Sequence, residues 1–198
     1  ALLKQLDALD AGGRITDEGR ALARLPLHPR LAHMIHRSAD KGTAAELAVL
    51  LTERGLGGDD TDIARRLARF RADRSRRAED ARTLARRWGG TPGRDLDIGV
   101  DLARAFPDRV AQQAGTRGRF RLANGRAASL EETDALAASP FLVVTDVTGT
   151  ATFGRIRAAA AISKEAIETL FAGRITSETA LDYDSAARAV RARRRRLL

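Results

Sequence analysis

The hydrophobic pattern of this 198-residue chain changes its period near residue 113, and that change constrains the fold more than any other feature. Before it, apolar residues recur at helical spacing, as in Ile63, Leu67 and Phe70. After it, polar and apolar residues alternate, as in residues 119–123, which is typical of strands with one buried face. The sequence therefore predicts an α+β chain, with an N-terminal all-α helical bundle followed by a small OB-like β-barrel.

Helix boundaries in the first forty residues are marked by local signals. Thr16 suits an N-cap, and Asp17 and Glu18 place negative charge on the positive end of the helix dipole. Pro26 is expected to end this helix, because the residue before a proline is pushed out of the α region. Pro29 suits the first turn of the next helix, where its missing N–H costs nothing.

Caps and turns are also predicted farther along the chain. Thr43 and Glu46 have the spacing of a capping box, and Ser163 suits the N-cap of a late helix. Asn124 and Gly125 give the strongest short hairpin signal, because both residue types tolerate a positive φ.

Further strands are predicted in the second half, and four or five of them with one helix make up the expected barrel. Residues 141–144 read as a buried strand and residues 153–157 as an alternating one. Strands near residues 175–183 and 187–197 are expected to pair across Asp184-Ser185.

The charge balance favours a polyanionic partner. The chain carries 35 basic and 26 acidic residues, a formal net charge of +9, and nearly all the basic residues are arginine. Nucleic acid is the commonest such partner, and the arginine fork suits phosphate. The alternatives are solubility alone, or the alanine and arginine bias of a GC-rich genome.

Disulfides and thiolate metal sites are excluded, because the chain has no cysteine. The same feature fits a reducing cytoplasm. No apolar run approaches the roughly 20 residues that span a bilayer, and no membrane partner is expected.

No catalytic constellation is found in this chain, and no cofactor is assigned to it. There is no Gly-rich phosphate loop ending in Lys-Ser or Lys-Thr and no Asp-Glu-Ala-His box, so an ATP-hydrolysing motor is not encoded here. His33 and His36 have a spacing that can bind zinc, with His28 nearby, but ordinary surface or half-buried histidines are the favoured interpretation.

Arginine clusters give the candidate binding residues. Arg65 and Arg69 fall one helical turn apart, where they either follow a phosphate backbone or form a solvated helix exterior. On the predicted strands, outward arginines form a basic barrel wall. The aromatic side chains are either core residues or stacking platforms for bases, and core is the favoured interpretation. A third cluster, near the end of the sequence, is a strand edge, a tail or an interaction surface. The strand and turn candidates are Arg119, Arg121, Asn124, Arg126, Arg155 and Arg157; the aromatics are Phe120, Phe141, Phe153 and Tyr183; the third cluster is Arg191, Arg193, Arg194, Arg195 and Arg196.

Several motifs, taken in order, resemble the helicase-associated region of DEAH-type RNA helicases, in particular the bacterial branch called HrpB. The first is Leu6-x-x-Leu9-Asp10, followed by Gly13-Arg14-Ile15-Thr16, Gly19-Arg20 and Leu25-Pro26-Leu27-x-Pro29-Arg30-Leu31. Later ones are Phe106-Pro107-Asp108-Arg109-Val110-Ala111, Leu122-Ala123-Asn124-Gly125-Arg126 and Val190-Arg191-Ala192-Arg193-Arg194-Arg195-Arg196.

This resemblance implies the end of a winged-helix domain at residues 1–28, a ratchet-like helical domain at 29–113 and an OB-like barrel at 114–198. It also implies a larger parent enzyme whose RecA-like motor domains use ATP and magnesium to move 3′ to 5′ on single-stranded RNA, or DNA. This part would line the strand's path and contact its own motor domains. The competing hypothesis is a basic scaffold that docks on the motor domains or on an acidic partner.

Overall fold

The structure is a computed structural model that describes residues 2–93, 97–150, 152–184 and 189–197, with side chains described as far as residue 176. The chain forms two compact units, Ala1–Ile162 and Ser163–Leu198. Among the described residues, no helix has both the length and the apolar character needed to cross a membrane.

Three short helices open the first unit, and two of the predicted helix starts are confirmed. They are α1 (Leu2–Gln5), α2 (Asp17–Leu22) and α3 (Pro29–Arg37). Thr16 caps α2, because its Oγ1 accepts a hydrogen bond from the Gly19 N–H at 3.0 Å, and Pro29 occupies the first turn of α3. The helix α2 ends at Leu22, well before Pro26, so the prediction that Pro26 stops it is wrong.

Four further helices follow in this unit, and one of them is nearly buried. They are α4 (Lys41–Thr52), α5 (Ile63–Ala72), α6 (Arg76–Gly89) and α7 (Ile98–Ala105). Helix α4 packs against α3, α5 and α6, and its apolar side chains Leu47, Val49 and Leu50 are buried. Because α4 has neighbours on several sides, its sequence is apolar nearly all round rather than amphipathic.

The predicted capping box at Thr43 and Glu46 is wrong. The N-cap of α4 is Asp40, whose Oδ1 accepts from the Thr43 N–H at 3.1 Å. Thr43 and Glu46 are buried instead, and both accept hydrogen bonds from Arg71 on α5, each at 2.7 Å. A contact that is distant in sequence has taken the two residues that a local capping box would use.

A closed five-stranded barrel follows the helices in the same unit. Its strands are β1 (Val110–Gln113), β2 (Arg119–Leu122), β3 (Ala127–Ser129), β4 (Phe141–Gly149) and β5 (Phe153–Ala161). The order is β1-β2-β3-β5-β4, closed through β1 and β4, and only the β3–β5 pairing is parallel. Its core contains Phe120, Leu122, Leu142, Val144 and Ile156. The predicted fold class, a helical bundle followed by an OB-like barrel, is confirmed.

The predicted hairpin at Asn124-Gly125 is confirmed, but its turn differs from the expected one. The Leu122 N–H donates to the Arg126 carbonyl, and the Gly125 N–H donates to the Leu122 carbonyl, both at 2.9 Å. Gly125 has a φ of 84°, whereas Asn124 does not adopt a positive φ. One glycine in the left-handed region is therefore enough to close this longer loop.

The second unit contains α8 (Lys164–Leu170), β6 (Thr176–Asp184) and β7 (Ala189–Leu197). Ser163 caps α8 as predicted, accepting from the Ala166 N–H at 3.0 Å. Strands β6 and β7 pair antiparallel as predicted, although residues 185–188, which include Ser185, lie outside the described residues.

The expectation that β6 and β7 contribute to the barrel is wrong, because they form a two-stranded sheet of their own. The barrel closes instead with β1, at the end of the range that was predicted to be helical. Pro107 begins a short 3₁₀ turn at Pro107–Arg109 that separates α7 from β1.

Candidate nucleic-acid interface

The register of β2, β3 and β5 aligns predicted site residues in two rows across the barrel. In the first row, Arg119 lies opposite Ser129, which lies opposite Arg155. In the second row, Arg121 lies opposite Ala127, which lies opposite Phe153. Residues opposite one another point to the same side of a sheet. The long side chains on β2 and β5 therefore flank the small side chains of β3.

Strand alternation places the arginines on the outside of the barrel. On β2, Phe120 and Leu122 are buried while Arg119 and Arg121 are exposed. On β5, Gly154 and Ile156 are buried, whereas Phe153, Arg155 and Arg157 are exposed. We call the four outward arginines of these two strands the arginine wall: Arg119, Arg121, Arg155 and Arg157.

Most of the arginine wall has few internal partners. Arg155 Nη2 lies 3.1 Å from Glu131 Oε1, with 58% and 68% of the two side chains exposed. Such an exposed pair contributes about 0–1 kcal/mol. The Arg119 guanidinium lies over the Phe153 ring, 5.2 Å from its centroid. The side chains of Arg121 and Arg157 form no hydrogen bond or ion pair within the described part of the chain, so their guanidinium donors face solvent.

The two turn candidates have hydrogen-bond partners in the barrel's own connecting turns. Asn124 Oδ1 accepts from the Arg126 N–H at 3.1 Å. The Arg126 side chain donates from Nη2 to the Thr150 carbonyl at 2.6 Å, and its Nε is buried without a hydrogen bond to any described residue. Arg126 therefore connects the β2–β3 turn to the tip of the β4–β5 hairpin.

The two helical candidates lie one turn apart on α5, and both are more than half exposed. Arg69 Nη2 is 3.0 Å from Asp60 Oδ2, and Arg65 Nε is 3.8 Å from Asp62 Oδ2. The structure does not bring them together with the arginine wall, since no described contact joins either residue to it. They form a separate basic surface that is partly neutralised by the loop before α5.

Of the four aromatic candidates, the structure places one on the surface. Phe120 is in the barrel core and Phe141 is partly buried, whereas 42% of Phe153 is exposed. The interpretation of Phe153 as core is therefore wrong. The alternation of residues 153–157 contained the signal, because Phe153 shares its parity with Arg155 and Arg157. The side chain of Tyr183 and those of the third arginine cluster lie outside the described residues.

The three histidines have different partners. His33 Nδ1 lies 3.1 Å from the Arg104 carbonyl, and burial lowers the pKa of His33. His36 Nε2 is 3.5 Å from Glu18 Oε2, while His28 Nδ1 accepts from the Arg30 N–H at the start of α3. Within the described residues, no group of three metal-ligating side chains is present.

Comparison with known proteins identifies relatives of this chain. Residues 1–27 match the family described as the helicase-associated domain (HA2), winged-helix. The ATP-dependent RNA helicase HrpB of Escherichia coli (strain K12) is 34% identical over 146 residues, covering 72% of this chain. The chain is an HrpB-like region. It spans 18% of the length of that relative.

Two solved structures extend the likeness of this HrpB-like region to nearly its full length. One is described as the crystal structure of E. coli DExH-box NTPase HrpB, with a TM-score of 0.80 and 27% identity. The other is described as the crystal structure of Escherichia coli DEAH/RHA helicase HrpB, with a TM-score of 0.76 and 25% identity. Each match covers 98% of this chain and 24% of the solved one.

Proposed function

We propose that this HrpB-like region is an accessory nucleic-acid-binding part of an ATP-dependent RNA helicase, and that a single strand of RNA crosses the arginine wall. One observation carries the proposal: the register places Arg119 and Arg155 on either side of Ser129, with both guanidinium groups exposed. Small residues between long cationic ones leave a shallow floor with positive sides. A polyanionic backbone matches that shape and charge.

The guanidinium groups determine which part of a nucleic acid such a surface recognises. Each arginine presents several N–H donors in a planar fork that matches phosphate oxygens. Contacts to phosphate position a strand but carry no sequence information directly. Binding by the arginine wall is therefore tolerant of sequence and strongly dependent on salt. Asn124 and Arg126 are included in the proposed contact surface at the β2–β3 turn, with Arg126 also holding the neighbouring hairpin.

A second contact surface is proposed on α5. Arg65 and Arg69 would exchange their exposed pairs with Asp62 and Asp60 for phosphate oxygens. That exchange costs little, because an exposed ion pair contributes only about 0–1 kcal/mol. The helical part would then work as a ratchet-like element beside the strand while the barrel holds it.

The wider proposal concerns the parent enzyme. ATP and magnesium would bind its RecA-like motor domains, which would move 3′ to 5′ on RNA in the cytoplasm while contacting this region. The proposed organisation is a winged-helix end at residues 1–28, followed by a ratchet-like part and then an OB-like part. Because strand β1 (Val110–Gln113) belongs to the barrel, we place the boundary between the last two parts before Val110 rather than at 113/114.

A second candidate function is a basic scaffold that docks on the motor domains or on an acidic partner. One observation favours it: Arg155, Arg65 and Arg69 already lie beside carboxylates of this chain. An acidic protein surface would offer them the same group.

Charge reversal separates the two functions. We expect Arg119→Glu combined with Arg121→Glu to weaken binding of a labelled single-stranded RNA about tenfold or more, because two phosphate contacts are lost and two repulsive charges are added. The matched control is Arg14→Glu combined with Arg24→Glu. It makes the same charge change at two exposed positions within the first 24 residues, distant in sequence from the arginine wall. Circular dichroism checks that both variants fold. Equal RNA affinity in the wall variant and the control would favour docking.

A further inference from the structure

Phe153 is an exposed aromatic ring among cations. It is one of the few large apolar side chains on the described surface, with 42% of its area exposed. Arg155 and Arg157, farther along the same strand, are exposed on the same side of the sheet. The Arg119 guanidinium lies over the Phe153 ring, 5.2 Å from its centroid. An arginine on an aromatic face makes a cation–π contact, so the Arg119 guanidinium and the Phe153 ring form a short stack.

The backbone fixes this ring at the start of β5. Thr150 Oγ1 accepts from the Phe153 N–H at 3.2 Å and lies 3.0 Å from the Phe153 carbonyl, to which it donates. The Thr150 carbonyl in turn accepts from Arg126. These hydrogen bonds hold the backbone of Phe153 in place before any ligand arrives, which reduces the entropy lost on binding.

The neighbours of the ring are suited to a nucleotide rather than to an apolar ligand. Across β3, the residue opposite Phe153 is Ala127, and Arg121 follows on β2. Adjacent strands lie about 4.8 Å apart, so the ring lies beside small side chains and within reach of several guanidinium groups. A planar base on the ring would place its phosphates near those groups.

We propose that Phe153, covered by Arg119, is a stacking platform for one unpaired nucleobase of the strand that crosses the arginine wall. This inference rests on the proposed function and adds a contact to the base. Every base has a π face, so the contact adds affinity without choosing a sequence. A ring that merely docked against protein would give no preference for strands that carry bases.

The test compares two ligands and three forms of the 198-residue chain. The ligands are an oligouridylate of about 12 nucleotides, within the range bound by one OB-fold, and an abasic sugar–phosphate oligomer of the same length. The forms are wild type, Phe153→Leu and Phe153→Trp. Leucine keeps an apolar side chain at this exposed position and removes the π face. Circular dichroism checks the fold of each form.

We expect Phe153→Leu to weaken oligouridylate binding about tenfold, in the range found for loss of one stacked base, and to leave abasic binding unchanged. Phe153→Trp should retain affinity, and oligouridylate should quench its fluorescence more than that of wild type, which contains only Trp88. The platform is overturned if Phe153→Leu leaves oligouridylate binding unchanged, or weakens both ligands equally. If both ligands still bound in a salt-dependent way, phosphate binding by the arginine wall would remain supported. If neither ligand bound, both proposals would be overturned.

Discussion

Arg71 Nε lies 2.7 Å from Glu46 Oε2, in an ion pair whose carboxylate side chain is only 5% exposed. The same guanidinium donates to Thr43 Oγ1 at 2.7 Å. This pair connects α5 to α4 inside the helical part, whereas Arg69, on the same helix, pairs with Asp60 at the surface. Two arginines of one helix thus have different roles, one in stability and one in the proposed contact with RNA.

Replacing Arg71 should destabilise the fold strongly. We expect Arg71→Leu to lower the free energy of unfolding by about 3–5 kcal/mol, because it leaves the Glu46 carboxylate buried without its charge partner. Urea denaturation of the chain measures this loss. The matched control is Arg69→Leu, which removes an exposed pair and should cost less than about 1 kcal/mol. If both variants lost a similar free energy of unfolding, burial of Glu46 would not be the reason for the loss in Arg71→Leu.

Gly99 allows α7 to approach the barrel closely. A Cβ at this position would lie 2.3 Å from the Ala161 carbonyl oxygen of β5. Helix propensity alone favours alanine over glycine by about 1 kcal/mol, but the steric clash with backbone opposes it. We expect Gly99→Ala to lower the melting temperature. Gly173→Ala is the control, because a Cβ there meets nothing within 4 Å, and its melting temperature should stay close to that of wild type.

His33 should make stability depend on pH. Burial lowers the pKa of His33, against the opposing effects of its hydrogen bond to the Arg104 carbonyl and of Glu18. The native state therefore takes up a proton less readily than the unfolded chain, whose histidine titrates near about 6.5. Stability contributed by neutral His33 is complete above that pH and is lost as the pH falls below it towards the folded-state pKa.

The variant His33→Gln tests this dependence. Glutamine can still donate to a carbonyl but does not titrate. We expect its free energy of unfolding to fall less steeply than that of wild type as the pH is lowered below about 6.5. Chemical denaturation at a series of pH values gives both curves. Parallel curves would assign the pH dependence to other groups.

Helix caps were predictable where they depend on a few neighbouring residues. Thr16 and Ser163 cap their helices with their own hydroxyl oxygens, and Pro29 needs only its own ring geometry. The predicted capping box failed because Thr43 and Glu46 bind a residue of another helix. No local rule includes a partner that lies 25 positions away.

The arginine wall was predictable only in part. Alternation around Phe120 placed Arg119 and Arg121 outward, as the structure has them. The two rows across β3 depend on a parallel pairing between β3 and β5. These strands are distant in sequence, so no pattern of neighbouring residues predicts that they pair. The usual burial of large aromatic residues favours a core position for Phe153, whereas its parity with Arg155 indicates the exposed position that the structure shows.

The central claim is that the arginine wall binds phosphate, and salt dependence of RNA binding measures this most directly. The comparison is between wild type and a variant with glutamine at residues 119, 121, 155 and 157. Each phosphate contact on a single strand contributes about 0.7 to the slope of log affinity against log salt. We expect a steep slope for wild type and a slope shallower by roughly 3 for the variant, since four contacts are removed. Equal slopes for the two forms would contradict phosphate binding by the arginine wall.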